Sequence, residues 1–280
     1  INKMENNSVV RPHELDANKI EITPLRQNKN TKRLSAIIVQ PNGRPLNIET
    51  PILLAPFGIS QYTNGDAGST AYSIPFIQRG QNNDDEDATD FFNKLRPIDD
   101  VIRQFGFDNS EKIFKKQLSK PVVNELYSPI VKTAINDSGV PYPPKIQPKF
   151  IEENENPSLL FFKGSSEEPE NLEENGWNIL MDTIKKGSYG RAIVQPRLWF
   201  ISGKFGCTLK VLQLQVPEMV ANRPTRFAFS NKSTDDGEKG SISNEDEEDD
   251  TKVDEEEEEG EEGVEEEDSD DPGEESEQKS

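Results

Sequence analysis

The chain has 280 residues, of which 31% are hydrophobic and 30% are charged, and its formal net charge is −21. The charge is concentrated at one end, because residues 231–280 contain 26 acidic and only 4 basic side chains. No apolar run approaches the roughly 20 residues that a membrane-spanning helix needs, which argues against an integral membrane protein. The sequence therefore predicts a nearly neutral body followed by a strongly acidic tail.

The residue types that common enzymes use are scarce. The single cysteine, Cys207, excludes an internal disulfide and suits a reducing compartment. The single histidine, His13, leaves no His-based catalytic triad and no His/Cys zinc site, and no nucleotide-binding glycine motif is present. We therefore expect a protein that is not an enzyme and uses no metal or cofactor. The first residues lack the apolar core of a secretory signal, so we expect an intracellular location.

In the N-terminal third of the chain, the sequence predicts a flexible segment followed by strands. Residues 1–33 are polar and basic, and we interpret them as a flexible segment. Runs rich in Ile, Val, Tyr and Phe, bounded by Gly, Pro and Asn, then predict strands at residues 34–40, 51–56 and 70–77.

The middle of the chain changes its pattern. Apolar residues at spacings of three and four predict a helix over residues 90–107, with a kink or restart at Pro97. A second helix is predicted over residues 111–118, and a strand broken at Pro129 over residues 122–135. Residues 151–176 hold eight acids and one base around a short apolar run, which indicates an acidic insertion.

Two long strands at the end of the body form the clearest predicted element. Residues 189–201 and 205–216 are joined by Ser-Gly-Lys, a composition typical of a β-hairpin. With the earlier runs, they predict a mainly β domain over residues 34–225, either a barrel or a sandwich, with helical and acidic insertions.

Alternation along the first of these strands gives it two different faces. Small and apolar residues at positions 190, 192, 194, 196, 198 and 200 belong against a core. The other face interleaves aromatic and basic side chains, a mixture that suits single-stranded nucleic acid because bases stack on rings and cations neutralise phosphates. The alternative is an ordinary surface on which arginines cover Trp199. The candidate binding residues on and near this strand are Tyr189, Arg191, Arg197, Trp199, Lys204 and Phe205.

Further candidates lie elsewhere in the chain. Tyr72 and Lys132 are the two that we add to the predicted site, and Tyr62, Lys145 and Lys149 have the same chemistry. Without residues 81–90 and 151–176, the body contains 14 acids and 27 bases, so an acidic chain can still carry a basic surface.

The acidic tail, residues 226–280, is predicted to be disordered because it has too few apolar side chains to offset chain entropy. One interpretation is a solubilising tail. The other is a polyanion that competes with nucleic acid for the basic surface of the body and offers a docking segment to basic partners.

Several motifs resemble one family. They are Gly187-Ser-Tyr-Gly-Arg-Ala-Ile-Val-Gln, Trp199-Phe, Lys204-Phe-Gly-Cys-Thr-Leu, Leu212-Gln-Leu-Gln-Val and Pro56-Phe-Gly-Ile-Ser. Together with the acidic tail, they resemble the phage-type single-stranded DNA-binding proteins and their counterparts in large nucleocytoplasmic DNA viruses. The resemblance implies an OB-fold barrel and sequence-independent binding of single-stranded DNA. The chain ends in Glu277-Gln-Lys-Ser, whereas phage and bacterial members typically end in an aromatic or hydrophobic residue.

The leading hypothesis is a protein that coats single-stranded DNA during viral DNA replication, recombination and repair. Its tail would regulate DNA binding and recruit a DNA polymerase, helicase or primase. The sequence is also compatible with a homodimer. The location would be a cytoplasmic viral factory or the nucleus of the host, or the virion. The alternative hypothesis is an acidic chaperone, packaging or virion-core protein that binds basic proteins through its tail.

Overall fold

The structure is a computed structural model that describes residues 9–27, 29, 33–63, 70–80 and 85–217. These residues belong to one unit, Ile1–Asn222. The predicted disordered tail lies outside the described residues.

The described residues form mostly short strands and one long hairpin. In chain order the strands are β1 (Val9–Val10), β2 (Glu21–Ile22), β3 (Arg26–Gln27), β4 (Leu34–Ser35), β5 (Ile38–Val39), β6 (Asn47–Glu49), β7 (Leu53–Ala55), β8 (Ser60–Thr63), β9 (Thr70–Ser73), β10 (Phe76–Gly80), β11 (Tyr127–Ser128), β12 (Lys145–Ile146), β13 (Glu152–Glu153), β14 (Asn156–Pro157), β15 (Leu160–Lys163), β16 (Ser188–Ile201) and β17 (Lys204–Val216).

Helices occupy the connections between these strands. The α-helices are α1 (Asp85–Asp108), α2 (Ser110–Phe114), α3 (Lys120–Glu125) and α4 (Gly176–Thr183), and two 3-10 helices span Pro12–Glu14 and Ala17–Lys19. The prediction of a mainly β fold with helical insertions is confirmed. Across the described ranges, no helix is both long enough and apolar enough to cross a membrane.

The β16–β17 hairpin organises the fold. The two strands pair antiparallel from Arg191 opposite Gln215 to Ile201 opposite Lys204. Their two-residue turn, Ser202 and Gly203, has positive φ at both positions, 49° and 74°, as the tightest class of hairpin turn requires. The predicted hairpin is confirmed, and its core face is buried from Gly190 to Leu198 as alternation predicts.

Hydrogen bonding closes the main sheet into a barrel. β16 pairs with β7, β7 with β10 and β10 with β12, each antiparallel. The chain after β12 then returns to β17, because the Lys149 N–H donates to the Leu209 oxygen at 2.7 Å and the Val211 N–H donates to the Lys149 oxygen at 2.9 Å. Five segments thus form a closed circuit, which is the strand number of an OB fold.

Helix α1 covers one opening of the core. Its apolar stripe, Phe91, Leu95, Ile98 and Ile102, is fully buried, as the periodicity predicts. The helix is continuous through Pro97, so the predicted restart does not occur. It also begins earlier than predicted, with three acidic residues in its first turn that favour a helix N-terminus.

Two sequence interpretations need correction. Residues 122–125, predicted to begin a strand, lie in helix α3, because Pro121 sits in the first turn, where a missing N–H costs nothing. Residues 9–27 are not a loose segment: β1 pairs parallel with β6, and Leu15 is buried in the core. Within the acidic insertion, the short apolar run forms part of β15, which pairs with β17 and buries Phe161 completely.

Candidate nucleic-acid interface

An open groove of about 320 Å³ lies beside the start of β17, and we call it the aromatic groove. It is formed by four separate stretches of the chain, which are β8–β9, residues 128–132, residues 147–149 and the β16–β17 hairpin. None of the described residues that line it is acidic. The lining residues are Tyr62, Ala71, Tyr72, Ser73, Ser128, Pro129, Ile130, Lys132, Gln147, Lys149, Trp199, Cys207, Thr208 and Leu209.

Three aromatic residues line this groove. Tyr62 lies on β8 and is 68% exposed, Tyr72 lies on the neighbouring strand β9, and Trp199 lies near the end of β16. β8 and β9 form an antiparallel hairpin in which Gln61 lies opposite Tyr72. Tyr62 lies opposite Ala71, so the side chains of Tyr62 and Tyr72 leave this hairpin on opposite faces, and Tyr62 shares its face with Ser73.

Tyr72 is supported from behind by a second aromatic residue. Its ring stacks on Trp177 of α4, with centroids 3.7 Å apart and planes inclined by 21°. Phe150 packs edge-on against the same indole at 5.6 Å. This stack fixes the Tyr72 ring and with it the position of β9 beside the groove. The sequence prediction did not include Trp177, although a tryptophan beside Ile179 and Leu180 is a recognisable packing signal.

Gly206 makes room for Trp199. The two residues lie opposite each other in the β16–β17 hairpin. A Cβ atom on Gly206 would lie 2.7 Å from Cζ2 of Trp199 and 2.6 Å from the backbone oxygen of Ser128. The indole therefore rests directly on the backbone of β17, and any larger residue at position 206 would displace it.

One lysine of the groove, Lys132, is positioned by a chain of polar side chains. Lys132 Nζ donates to Gln147 Oε1 at 3.1 Å, and Gln147 Nε2 donates to the Ser73 hydroxyl at 3.0 Å. Desolvation lowers the pKa of Lys132 below its usual value, and the charges of Lys145 and Lys149 lower it further. Such mutual repulsion between cations indicates a surface that would be stabilised by an anion.

A buried carboxylate holds one wall of the groove in place. Asp99 of α1 is 3% exposed and accepts hydrogen bonds from the Tyr127 hydroxyl at 2.5 Å and the Ile130 N–H at 2.8 Å. Burial raises the pKa of Asp99 above its usual value, and these hydrogen bonds to the carboxylate oppose that effect. Because Ile130 lines the groove, Asp99 links the wall to the core helix.

The opposite end of β16 has a different environment. Arg191 donates to Gln215 Oε1 at 2.6 Å and forms an ion pair with Glu49 at 3.2 Å. It lines a second depression, of about 430 Å³, together with Glu49 and Glu167. Tyr189, two residues earlier, is half-buried and pairs with Leu54 of β7. Neither residue belongs to the aromatic groove.

Two further predicted residues also lie outside the groove. Arg197 is half-buried, and its backbone pairs with Ile37 as well as with Thr208. Lys204 is exposed at the hairpin turn and lines a separate depression with Arg33 and Lys115. Of the eight predicted site residues, the structure thus gathers Tyr72, Lys132 and Trp199 into one groove.

The prediction of Phe205 as a binding residue is wrong. Its ring is 1% exposed and packs against Tyr127 with centroids 5.1 Å apart. Gly106 of α1 approaches so closely that a Cβ atom there would lie 2.3 Å from the Phe205 ring. Alternation explains this, since Phe205 shares a face of β17 with the buried residues Cys207 and Leu209.

The groove suits binding of a flexible polyanion with flat groups. Its rings provide stacking surfaces, and its lysines provide positive charge without a neighbouring carboxylate in the lining. In the part of the chain that the structure describes, no cluster of three or more His, Cys, Asp or Glu side chains is placed to hold a metal ion.

Comparisons with known proteins find similarity only at the level of solved structures. No protein-family model and no curated protein sequence matches the chain. The single-stranded DNA-binding protein of bacteriophage Enc34, in complex with single-stranded DNA, has 14% identity and a TM-score of 0.36, over 69% of this chain and 94% of the phage chain.

A second phage protein is similar over a shorter part of the chain. Gp2.5, a single-stranded DNA-binding protein encoded by bacteriophage T7, has 9% identity and a TM-score of 0.38, over 61% of this chain and 85% of its own.

Proposed function

We propose that this chain binds single-stranded DNA without sequence preference and that the aromatic groove is its binding site. The observation that carries the proposal is the composition of the groove, with three aromatic residues and two lysines and no acid among its described lining residues. Stacking of a base on such a ring contributes about 1–3 kcal/mol and accepts every base, since all four have a π face.

Electrostatics supports the same ligand. Besides desolvation, which lowers the pKa of Lys132 most, the nearby charges of Lys145 and Lys149 lower it further, so phosphate groups would relieve the repulsion among these lysines. Counterions released from the strand make such binding salt-dependent, with a slope of about −0.7 per neutralised phosphate on a single strand. For about four to six contacts, log K would fall by roughly 3–4 per tenfold rise in salt concentration.

The biological role that we propose is the coating of exposed strands during viral DNA replication, recombination and repair. The chain would work in a reducing compartment of the host cell, in a cytoplasmic viral factory or in the nucleus, or it would be carried in the virion. A homodimer is compatible with this role.

The acidic tail would regulate access to the groove. Residues 231–280 carry 26 acids and 4 bases, and a segment tethered to its own binding site has an effective concentration in the millimolar range. The tail and DNA would therefore compete for the same lysines. DNA binding would release the tail to basic surfaces on a DNA polymerase, helicase or primase.

The charge of the tail also supports a second candidate function. A segment with a net charge of −22 can bind basic proteins by itself, so the chain could act as an acidic chaperone, packaging or virion-core protein with the barrel as its support.

One competition experiment separates the two functions. Labelled oligo-dT, duplex DNA and a histone are each titrated with the full chain and with a chain lacking residues 231–280. We expect tight binding of oligo-dT by both forms, tighter without the tail at low salt. Histone binding that depends on the tail, together with no binding of oligo-dT by either form, would instead establish the second function.

A further inference from the structure

Residues 132–145, which we call the arm, form an ordered hairpin that leaves the barrel beside the aromatic groove. Lys132 and Lys145 exchange backbone hydrogen bonds of 2.8 and 2.9 Å at its base. Further out, the Tyr142 N–H donates to the Ala134 oxygen at 2.9 Å. The arm is therefore a defined structure up to its tip.

The tip of the arm is fixed by Asn136. Its side-chain oxygen accepts the N–H groups of Ser138 and Val140 at 3.1 and 2.7 Å. Gly139 provides the positive φ, 79°, that the turn requires. The backbone of the arm is thus held in one conformation up to its tip.

The arm exposes large apolar side chains to solvent. Ile135, Val140 and Tyr142 are 69%, 57% and 57% exposed, and nothing within the described residues covers them. Exposed apolar residues scattered singly are common, but a group of them on one face of a short hairpin indicates an interaction surface. Among the other large hydrophobic side chains of the described residues, only Phe57, Tyr62 and Ile201 reach a comparable exposure.

Alternation places two of these side chains on the side of the groove. The bridges Lys132–Lys145 and Ile135–Pro141 are three residues apart on one side of the arm and four on the other, so the extra residue lies between Pro141 and Lys145. Along the other side, Lys132, which lines the groove, and Ala134 share a face because they are two residues apart. The bridge between Ile135 and Pro141 sets Tyr142 opposite Ala134 and Val140 opposite Asn136, and opposite residues share a face. Tyr142 and Val140 therefore continue the groove face, whereas Ile135 points to the other side of the arm.

We infer that the arm is a second stacking surface for single-stranded DNA, occupied by the strand where it leaves the aromatic groove. The inference rests on the proposed function of the groove. Continuity of the face from Lys132 to Tyr142 supports it, and so does charge, because the arm carries Lys132 and Lys145 against one acid, Asp137, at its tip. Tyr142 stacks on a base beyond those bound in the groove, and Val140 covers the edge of that stack.

The test uses the full chain, two lengths of oligo-dT and a matched pair of variants. OB folds cover about 4–16 nucleotides, so an oligonucleotide near the lower limit fills the groove and one near the upper limit also reaches the arm. Tyr142→Ala removes the stacking ring. Ile135→Ala removes a side chain of similar exposure from the opposite face of the same arm.

We expect Tyr142→Ala to weaken binding of the long oligonucleotide by about 5- to 150-fold, the range for one lost base stack, and to leave the short one unchanged. Ile135→Ala should bind both lengths like the unmodified chain. Circular dichroism checks that both variants are folded, which their exposed positions favour.

Three outcomes would overturn the inference. They are an unchanged affinity of Tyr142→Ala for the long oligonucleotide, an equal loss for both lengths, or an equal loss in Ile135→Ala. A dimer that Tyr142→Ala converts to monomers, with unchanged DNA affinity, would show that the arm joins two copies of the chain. The proposed function of the groove has its own test: it is contradicted if the unmodified chain binds neither length of oligo-dT.

Discussion

The two ends of β16 carry the same kinds of side chain and have opposite surroundings. At one end Trp199 lies on Gly206 in a groove with Lys132 and Lys149. At the other end Arg191 is bound by Glu49 and Gln215. Both side chains belong to the outward face of one continuous strand.

The comparison shows that neighbours decide whether a cation on a strand is available to a ligand. An arginine already paired with a carboxylate would have to break that pair to bind a phosphate, and the glutamate would then repel the strand. The lysines beside Trp199 have other lysines as neighbours, which favours the entry of an anion. We call these two regions the Trp199 end and the Arg191 end.

The largest expected difference between the ends concerns stacking. Trp199→Ala should weaken oligo-dT binding by about 1–3 kcal/mol, because one base loses its ring. Tyr189→Ala, on the same face near the Arg191 end, should leave affinity unchanged. Fluorescence anisotropy of labelled oligo-dT measures both affinities.

A control separates stacking from folding in this pair of variants. Trp199→Phe keeps a flat ring on Gly206 and should retain most of the affinity, with circular dichroism checking the fold of each variant. Equal losses in Trp199→Ala and Tyr189→Ala would remove the distinction between the two ends.

A smaller difference is expected in the salt dependence of binding. Lys149→Ala should reduce the slope of log K against log salt by about 0.7, the value for one phosphate contact on a single strand. Arg191→Ala should leave the slope unchanged because Glu49 already neutralises this arginine. Titrations at three salt concentrations give the slopes, and a reduced slope in Arg191→Ala would place DNA at the Arg191 end as well.

The smallest expected effect is a dependence on pH at Lys132. Its pKa lies below the usual value, so it loses its positive charge at a lower pH than an ordinary lysine as the pH rises. Binding should then weaken by about 1 kcal/mol or less, the range for one exposed ion pair, at a pH where ordinary lysines are still charged. Lys132→Arg stays charged and should lose less affinity over the same pH range, and identical pH profiles of the two proteins would contradict this.

The hairpin and helix α1 could be predicted because their signals are local. Alternation over residues 189–201 and a spacing of three and four over Phe91, Leu95 and Ile98 need no knowledge of the rest of the chain. Helix α3 could not be predicted in this way, since Val122 and Val123 favour strands and only the position of Pro121 in the first turn favours a helix.

The site could be predicted only in part, because the groove is assembled from distant segments. Tyr72, Lys132 and Trp199 have the right chemistry in the sequence, but only pairing across the barrel brings them together. The ion pair between Arg191 and Glu49 joins residues more than a hundred positions apart, and no local pattern reveals it. The burial of Phe205, by contrast, follows from the alternation that also places Cys207 in the core.

The stack of Tyr72 on Trp177 has a consequence for how this chain can be observed. The sequence contains two tryptophans, of which Trp199 lines the groove and Trp177 lies behind a tyrosine that lines it. An occupant of the groove would contact the first indole and, through Tyr72, change the surroundings of the second. All of the tryptophan emission of the protein thus originates at or directly behind the groove, so the unlabelled chain carries its own optical reporter of occupancy.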